Sequence, residues 1–281
     1  MCIHAYAKLA GMKLFAYRAL DYLHAAGPDD RRYLLFNAVQ KAKVGTEGVR
    51  VMDQLAECIG ARGFESDTYF EMAQRDARLV PGLEGSTHIN FEAAARFVDA
   101  YLLHPEKGVS APAPAHQSAN GLEENAHLLG RRSDAVRGVR FAECLSAYRP
   151  LRNIANVRLF VGQIRAFRGS FLTGLLDANP KSQPALTILL GRCLSTIAYG
   201  QLIAENAVLS EIPVPMITVI FHQLVQQLSA EAAELSLHEQ VRLLRRGLIR
   251  WMIVQPRTPP TDMKSLADHI TRRHRDLSSA A

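Results

Sequence analysis

The chain has 281 residues, of which 48% are apolar, 21% charged and 7% aromatic, and its formal net charge at pH 7 is +6. This composition is that of an ordinary globular protein, and the length suits one large domain or two smaller ones. The four cysteines are widely scattered and form no Cys-x-x-Cys pair, which argues against a disulfide framework and favours reduced thiols in a cytoplasmic protein.

Neither a signal peptide nor a membrane span is predicted. Lys8, Lys13 and Arg18 interrupt the first twenty residues, and no run approaches the ~18–20 apolar residues that cross a bilayer. Residues 1–120 carry 13 Lys or Arg against 14 Asp or Glu, whereas residues 121–281 carry 20 against 13, and 18 of those 20 are arginine. The basic half indicates either a solvated, salt-bridged helical surface or a surface that meets an anion.

Helical periodicity dominates the first hundred residues, where apolar side chains recur every three or four positions. Gly60-Ala61-Arg62-Gly63 interrupts the pattern, and Pro-Gly and Gly-Ser-Thr turns place Glu84 in a tight loop. Ser86 or Thr87 is predicted to cap the helix that follows. The predicted helices of this half cover residues 3–26, 30–59, 67–79 and 88–103.

The second half is also predicted to be helical. A stretch rich in Ala, Pro, Ser and Gly predicts an extended linker over residues 106–121. This linker separates a predicted domain over 1–105 from a second predicted bundle over 122–281. No strand alternation with hairpin turns is present. We therefore predict an all-α protein made of two antiparallel helical bundles. The predicted helices of the second half cover residues 137–147, 151–175, 185–209, 216–235 and 238–254.

Several familiar site motifs are absent from the sequence. There is no Gly-x-Gly-x-x-Gly fingerprint, no phosphate-binding loop and no Gly-x-Ser-x-Gly elbow. Glu124 and His127 have the spacing found in di-iron bundles, but such a site needs two copies, so no metal site is expected. The basic segment "VRLLRRGLIRWMIV" predicts either a core helix with one wet face or an interfacial helix on a membrane surface. Nucleic-acid binding is disfavoured because aromatic residues do not interleave with the basic ones.

Three motifs around the Glu84 loop occur in order. They are "ECIGARGF", "FEMAQRDAR" and "LEGSTHIN". They resemble the Gln-x-x-Gly-Gly-x-Gly-Phe turn, the Arg-Asp-Ala-Arg helix and the Tyr-Glu-Gly-Thr-Ser-x-Ile-Gln loop of the flavin-dependent acyl-CoA dehydrogenases. The resemblance extends over about residues 3–103 and concerns the C-terminal helical domain of that family.

The resemblance implies a substrate and a role for Glu84. This carboxylate is the expected base that removes the α-proton of an acyl-CoA thioester while hydride leaves the β-carbon for FAD. The backbone of Glu84 and Gly85 is expected to meet the thioester carbonyl. Burial against flavin and acyl chain raises the pKa of such a carboxylate and makes it a better base.

The resemblance also implies a cofactor and a partner. The partner is a second subunit in a homodimer, since the family builds part of each FAD site across a subunit contact. Arg75 and Asp76 are expected to anchor the loop. The residues implied to contact FAD are Ser86, Thr87 and His88 in one subunit and Glu57, Cys58, Ile59, Gly60 and Ala61 from its neighbour.

The sequence also departs from the family pattern. Glu57 replaces a glutamine and places a negative charge near a diphosphate, while Ala61 and Ser86 are mild changes. The N-terminal helical and middle β domains of the family precede the matching region. We expect the chain to be the C-terminal portion of an acyl-CoA dehydrogenase that needs the missing half, or an incomplete reading frame. The alternative is a non-catalytic helical module for dimer, protein or membrane association.

Overall fold

The computed structural model describes residues 1–83, 85–117, 125–129, 138–172, 184–238, 241 and 243–279, and this part of the chain is helical without β-strands. The predicted all-α fold class is confirmed. Shorter π-helical turns cover Gln40–Val44 and Asp99–Leu103, and 3-10 helices cover Gly60–Phe64, Val80–Gly82, Ala115–Gln117 and Cys144–Leu151. The α-helices are α1 (Cys2–His24), α2 (Tyr33–Val39), α3 (Gly45–Ile59), α4 (Tyr69–Leu79), α5 (Thr87–Ala95), α6 (Ala126–Leu129), α7 (Ala155–Leu172), α8 (Pro184–Leu209), α9 (Val214–Leu237), α10 (Leu243–Arg250) and α11 (Pro260–Ser279).

Helix α8 is the centre of the fold. It is apolar on all sides, and its residues Leu190, Leu194 and Ile197 have no solvent exposure. A helix of this kind is stable in water only where neighbours cover it all round. It packs against α1, α5, α9 and the 3-10 helix Cys144–Leu151. By length and composition α8 could cross a membrane, but 89% of its most apolar stretch is buried within the protein, as in a core helix.

A glycine sets the distance between α5 and α8. A Cβ atom placed on Gly191 would lie 1.9 Å from the carbonyl oxygen of Phe91. Real Cβ atoms do not approach an oxygen so closely, and the oxygen belongs to a helix backbone that cannot turn aside. The two helices therefore touch through their backbones at Gly191.

One hydrophobic core spans both halves of the chain. Phe141, from the second half, packs edge-on against Phe97 and Tyr101 of the first half, with ring centroids 6.0 and 5.3 Å apart. Edge-to-face pairs at these separations are favourable beyond the area they bury. The division into domains 1–105 and 122–281 stays a prediction, and the two predicted units share this core.

The described part of the predicted linker ends in the 3-10 helix Ala115–Gln117 and lies on α1. The guanidinium of Arg18 donates to the carbonyl oxygen of Pro112 at 2.9 Å. The backbone N–H of His116 donates to Asp21 at 2.9 Å, and the His116 ring lies 2.8 Å from the same carboxylate. Since Arg18 and Asp21 are themselves buried, these contacts fix the segment on the helix.

The predicted helix over 137–147 is wrong. The chain there is extended from Gly138, which has a φ of +79°, and then enters the 3-10 helix Cys144–Leu151, which contains Pro150. Glycine at positive φ and an internal proline both break an α-helix. The extended path also carries Phe141 across to the aromatic cluster of the first half.

Two features were not predicted. Helix α11 was missed because it is polar on most of its surface, with Leu266 the residue that is deeply buried. The π-helical turns Gln40–Val44 and Asp99–Leu103 interrupt segments that were predicted as continuous α-helix. Helix α10 is shorter than the predicted 238–254, and residues 239, 240 and 242 lie outside the described chain.

Candidate functional site

The turn after α3 forms an exposed edge of the molecule. Gly60 ends the helix with a φ of +70°, a conformation that glycine adopts without strain. The 3-10 helix Gly60–Phe64 follows, as the predicted break required. The five residues that sequence reasoning assigned to flavin contact here are all exposed: Glu57, Cys58, Ile59, Gly60 and Ala61.

The loop between α4 and α5 is the second part of the site. Glu84, the predicted base, lies outside the described residues. Leu83 on one side of it is exposed, and Gly85 on the other side is half-buried with a φ of +105°. This value falls in the region that L-residues avoid, so the sequence requires glycine beside Glu84.

Asn90 holds this loop in place. Its side-chain amide donates to the carbonyl oxygen of Gly85 at 3.2 Å and to that of Ser86 at 3.1 Å. Ser86 is the N-cap residue of α5 but its side chain makes no capping bond; its hydroxyl lies 3.3 Å from the ring of His88 instead. Asn90 had no predicted role, although it is the last residue of the "LEGSTHIN" motif and a short amide is a common backbone clamp.

Ion pairs and hydrogen bonds connect α4 to its surroundings. Arg75 lies 3.5 Å from Glu71 of its own helix, and the roles of Arg75 and Asp76 as anchors of the loop stay predictions. Arg78 forms an ion pair of 2.5 Å with Asp53 of α3. At the C-terminal end of α4, the ammonium of Lys41 donates to the carbonyl oxygen of Val80 at 3.1 Å.

Exposed apolar side chains occur in both parts of the site and along α4 between them. No residue of α4 is buried, which is unusual for a helix with apolar side chains on one side. Phe64 and Tyr69 are 73% and 78% exposed. We call this surface the 59–89 face, and its exposed apolar side chains are Ile59, Phe64, Tyr69, Met72, Leu79, Val80, Leu83 and Ile89.

A small cavity lies behind the Val80 turn. Its volume is about 270 Å³, and its walls are almost entirely apolar. In the part of the chain with described positions, no group of three or more His, Cys, Asp or Glu side chains could hold a metal ion. The cavity is lined by Met12, Gln40, Lys41, Val44, Gly45, Gly48, Ala77 and Val80.

The second half has a different surface. At the end of α10 and directly after it, Ile249 and Met252 are buried while Arg250 and Trp251 are exposed. This pattern fits a core helix with one solvent-exposed face. The side chains of residues 242–246 lie outside the described part. Contact between this surface and a membrane stays a prediction.

Residues 1–98 match the sequence model of the family "Acyl-CoA dehydrogenase, C-terminal domain". The matched segment contains the Gly60 turn, α4 and the whole Glu84 loop. Residues 1–98 form an acyl-CoA dehydrogenase-like C-terminal domain. The comparison with curated proteins and the comparison with solved structures each found no match.

In this acyl-CoA dehydrogenase-like domain the predicted site residues fall in two segments, one before and one after α4. The Gly60 turn and the Glu84 loop stand at the two ends of α4, which are joined by eleven helical residues. At a rise of 1.5 Å per residue the two segments are roughly 16 Å apart. Exposed apolar side chains of the 59–89 face lie in or next to both segments.

Proposed function

We propose that residues 1–98 supply the C-terminal helical part of an FAD-dependent acyl-CoA dehydrogenase. Glu84 would take the α-proton of an acyl-CoA thioester, and FAD, when bound, would supply the acceptor for hydride from the β-carbon. One observation supports the proposal: residues 1–98 match this family's model, and exposed apolar side chains such as Leu83 and Ile89 lie on either side of Glu84 in the chain.

The 59–89 face is expected to bind another molecular surface. Soluble proteins seldom expose several large apolar side chains side by side unless the surface binds something. Phe64, Tyr69 and Leu79 are each more than half exposed, and α4 has no buried residue. In an enzyme of this family, which is generally FAD-dependent, the natural cover is the flavin-bearing part of the assembly.

Covering the face is also what the chemistry requires. A carboxylate in water has a pKa near ~4.3 and is too weak a base for a proton beside a thioester. Flavin and acyl chain exclude water, disfavour the charged carboxylate and raise its pKa toward that of a useful base. Glu84 thus becomes a competent base only when the 59–89 face is occupied.

The backbone beside Glu84 supports the second half of the reaction. As the α-proton leaves, negative charge develops on the thioester oxygen, and fixed peptide N–H groups stabilise it. Gly85 has no side chain to obstruct that approach. Asn90 holds the peptide groups after Gly85 and Ser86, which restrains the backbone directly after the segment assigned to the thioester.

Flavin contact is assigned to two segments. Ser86, Thr87 and His88 begin α5, and the free N–H groups of a helix N-terminus suit a diphosphate. The Gly60 turn is exposed and faces outward, as a contact with the FAD of a neighbouring subunit in a homodimer requires. Acyl-CoA, FAD and a second subunit, or the flavin-bearing half of the enzyme, are the partners of this proposal.

The test uses the assembled protein. The tagged chain is purified from its native host with its bound proteins, and the flavin absorbance is recorded. A panel of straight-chain acyl-CoA thioesters is then assayed with an artificial electron acceptor. Glu84→Gln is expected to lower desaturation by about 10²- to 10⁴-fold while flavin stays bound. Glu65→Gln, which removes an exposed carboxylate outside the loop, is the matched control and should retain activity.

Unchanged turnover in Glu84→Gln would overturn the assignment of the base. A colourless assembly, with the partner bound but no flavin, would favour a second candidate: a non-catalytic module that uses the 59–89 face for protein association. The observation behind that candidate is the exposed charge of Glu57, which lies where a diphosphate is expected.

A further inference from the structure

Two cysteines far apart in the sequence meet at the surface. The sulfur of Cys2, at the start of α1, lies 3.2 Å from the sulfur of Cys58, in the last turn of α3. Both residues are exposed free thiols, whereas Cys144 and Cys193 are buried. Burial raises the pKa of Cys144 to about 12, so that thiol is unreactive in the folded protein.

The separation is close to that of a covalent bond. A disulfide has an S–S distance of ~2.05 Å, so the two sulfurs need to approach by only about 1 Å. Both residues lie at helix ends, where a shift of this size disturbs few hydrogen bonds. We propose that Cys2 and Cys58 form a reversible intramolecular disulfide when the protein meets a peroxide or a disulfide oxidant.

The chemistry balances with hydrogen peroxide as the oxidant. One thiolate attacks the peroxide, the O–O bond breaks, and the product is a sulfenic acid and hydroxide, which takes a proton to become water. The second thiolate then attacks the sulfenic sulfur and displaces a second water molecule. The two thiols together lose two electrons and two protons, and the peroxide is reduced to two waters. A thiol reductant reverses the reaction by exchange.

The disulfide has a defined structural effect. It fastens the start of α1 to the last turn of α3, directly before the exposed turn Gly60–Phe64. Helix ends fray unless they are held, and the bond holds this one. Oxidation is therefore expected to slow tryptic cleavage after Arg62, which is exposed in that turn. The inference rests on the geometry of the two thiols and concerns the chain in which no FAD or neighbouring subunit covers Cys58, so its failure is distinguishable from failure of the proposed dehydrogenase activity.

The experiment begins with the full, reduced chain. A maleimide is expected to label Cys2 and Cys58 in the native protein and all four cysteines after denaturation. After treatment with hydrogen peroxide or oxidised glutathione, the intact mass should fall by that of two hydrogens, native labelling should stop, and peptide mapping should find Cys2 joined to Cys58. Dithiothreitol should restore both thiols.

Matched variants sharpen the test. Cys2→Ser and Cys58→Ser each alter one exposed residue, and neither variant should form the disulfide or show the slower cleavage after Arg62. Three results would overturn the proposal: a cross-link between two chains, oxidation of either cysteine to a sulfinic acid without a disulfide, or native labelling that the oxidants do not change. Each result is read on the wild-type protein, so the outcome does not depend on how the variants fold.

Discussion

The ammonium of Lys43 donates a hydrogen bond of 2.9 Å to the hydroxyl of Thr196, and this contact joins the acyl-CoA dehydrogenase-like domain to α8. Thr196 in turn donates to the carboxylate of Glu231 at 2.8 Å. All three side chains are buried. Burial lowers the pKa of Lys43 and raises the pKa of Glu231, because both charged forms lose solvation. The stability of the fold is therefore expected to depend on both members of the buried Lys43–Glu231 pair.

Removal of one partner is expected to destabilise the whole fold. Lys43→Met leaves the buried carboxylate of Glu231 without its cation. Glu231→Leu leaves the buried ammonium of Lys43 without the carboxylate that α9 supplies. Each substitution should lower the free energy of unfolding by about 3 kcal/mol. The double variant should lose clearly less than the sum, because neither charge then remains stranded. Urea denaturation of the four proteins measures the coupling.

Lys41→Met is the control for that cycle. Lys41 belongs to the same π-helical turn but is partly exposed, and its contact is a carbonyl oxygen at the surface. Its replacement should change the free energy of unfolding by less than about 0.5 kcal/mol. Additive effects of the Lys43 and Glu231 substitutions would contradict a coupled pair.

Glu47 is expected to control stability in acid. Its burial alone would raise the pKa, but Lys43, Lys8 and Arg50 together outweigh it and lower the pKa from the ordinary 4.5 to about 2. A carboxyl with a depressed folded-state pKa stabilises the fold above its unfolded-state pKa, and this stabilisation is lost as pH falls from about 4.5 to about 2. The shift corresponds to about 3 kcal/mol.

The measurement is the free energy of unfolding against pH. Glu47→Gln should be destabilised near neutrality and should lose most of the pH dependence in that acid range. Glu106→Gln is the control, because Glu106 pairs with Arg140 at 3.7 Å and both side chains are about half exposed. A wild-type slope that persists in Glu47→Gln would assign the acid sensitivity to other carboxylates.

Gly191 is expected to tolerate no side chain. A Cβ atom at this position meets the backbone oxygen of Phe91 at 1.9 Å, so Gly191→Ala must push α5 away from α8. The expected loss of unfolding free energy is about 3 kcal/mol or more. Gly162→Ala is the matched control: Gly162 is exposed in α7 with no atom near the new methyl group, so the change should stabilise by roughly 0.5–1 kcal/mol. Equal effects at both positions would contradict the close backbone contact.

Much of the first hundred residues could be predicted from the sequence, because local signals decide them. The 3.6-residue period located α1, α3 and α4, and glycine and proline marked the turns that border Glu84. Local signals failed where distant contacts decide the structure. Phe141 lies in an extended segment because its ring packs against aromatic side chains of the first half. No residue near Phe141 in the sequence indicates this contact. Helix α11 was missed although Met263, Leu266 and Ile270 recur at helical spacing, because most of its other residues are polar.

Contacts between distant residues were also beyond sequence reasoning. Cys2 and Cys58 are 56 positions apart, and Lys43 and Glu231 are separated by most of the chain. Nothing in their spacing indicates that they meet. Of the candidate site, the motifs identified the Glu84 loop and the Gly60 turn, but the clamp by Asn90 depends on how the loop folds back on α5.

The 59–89 face is expected to drive assembly and not stability. A double variant, Phe64→Ser with Tyr69→Ser, removes two of its most exposed side chains. It should leave the free energy of unfolding within about 0.5 kcal/mol of wild type but abolish self-association or partner binding in sedimentation velocity. Trp251→Ser is the control, because Trp251 is 77% exposed but lies outside the face. Loss of assembly in Trp251→Ser alone would move the interface to the second half of the chain.

Glu57 is expected to weaken flavin binding, since it stands where the resembling family has glutamine. Its side chain is exposed beside the Gly60 turn, so a bound diphosphate would meet a carboxylate of the same sign. Across water at ~8 Å such repulsion amounts to roughly 0.5–1 kcal/mol, so Glu57→Gln should tighten FAD binding by roughly two- to five-fold in the assembled protein at low salt. The gain should shrink as salt screens the charge. Glu65→Gln makes the same change in net charge eight positions further along the chain, and its effect on FAD binding should be smaller. Equal gains in both variants would show that net charge, and not the position of Glu57, sets the affinity for FAD. Such a result would contradict the assignment of the Gly60 turn to flavin contact.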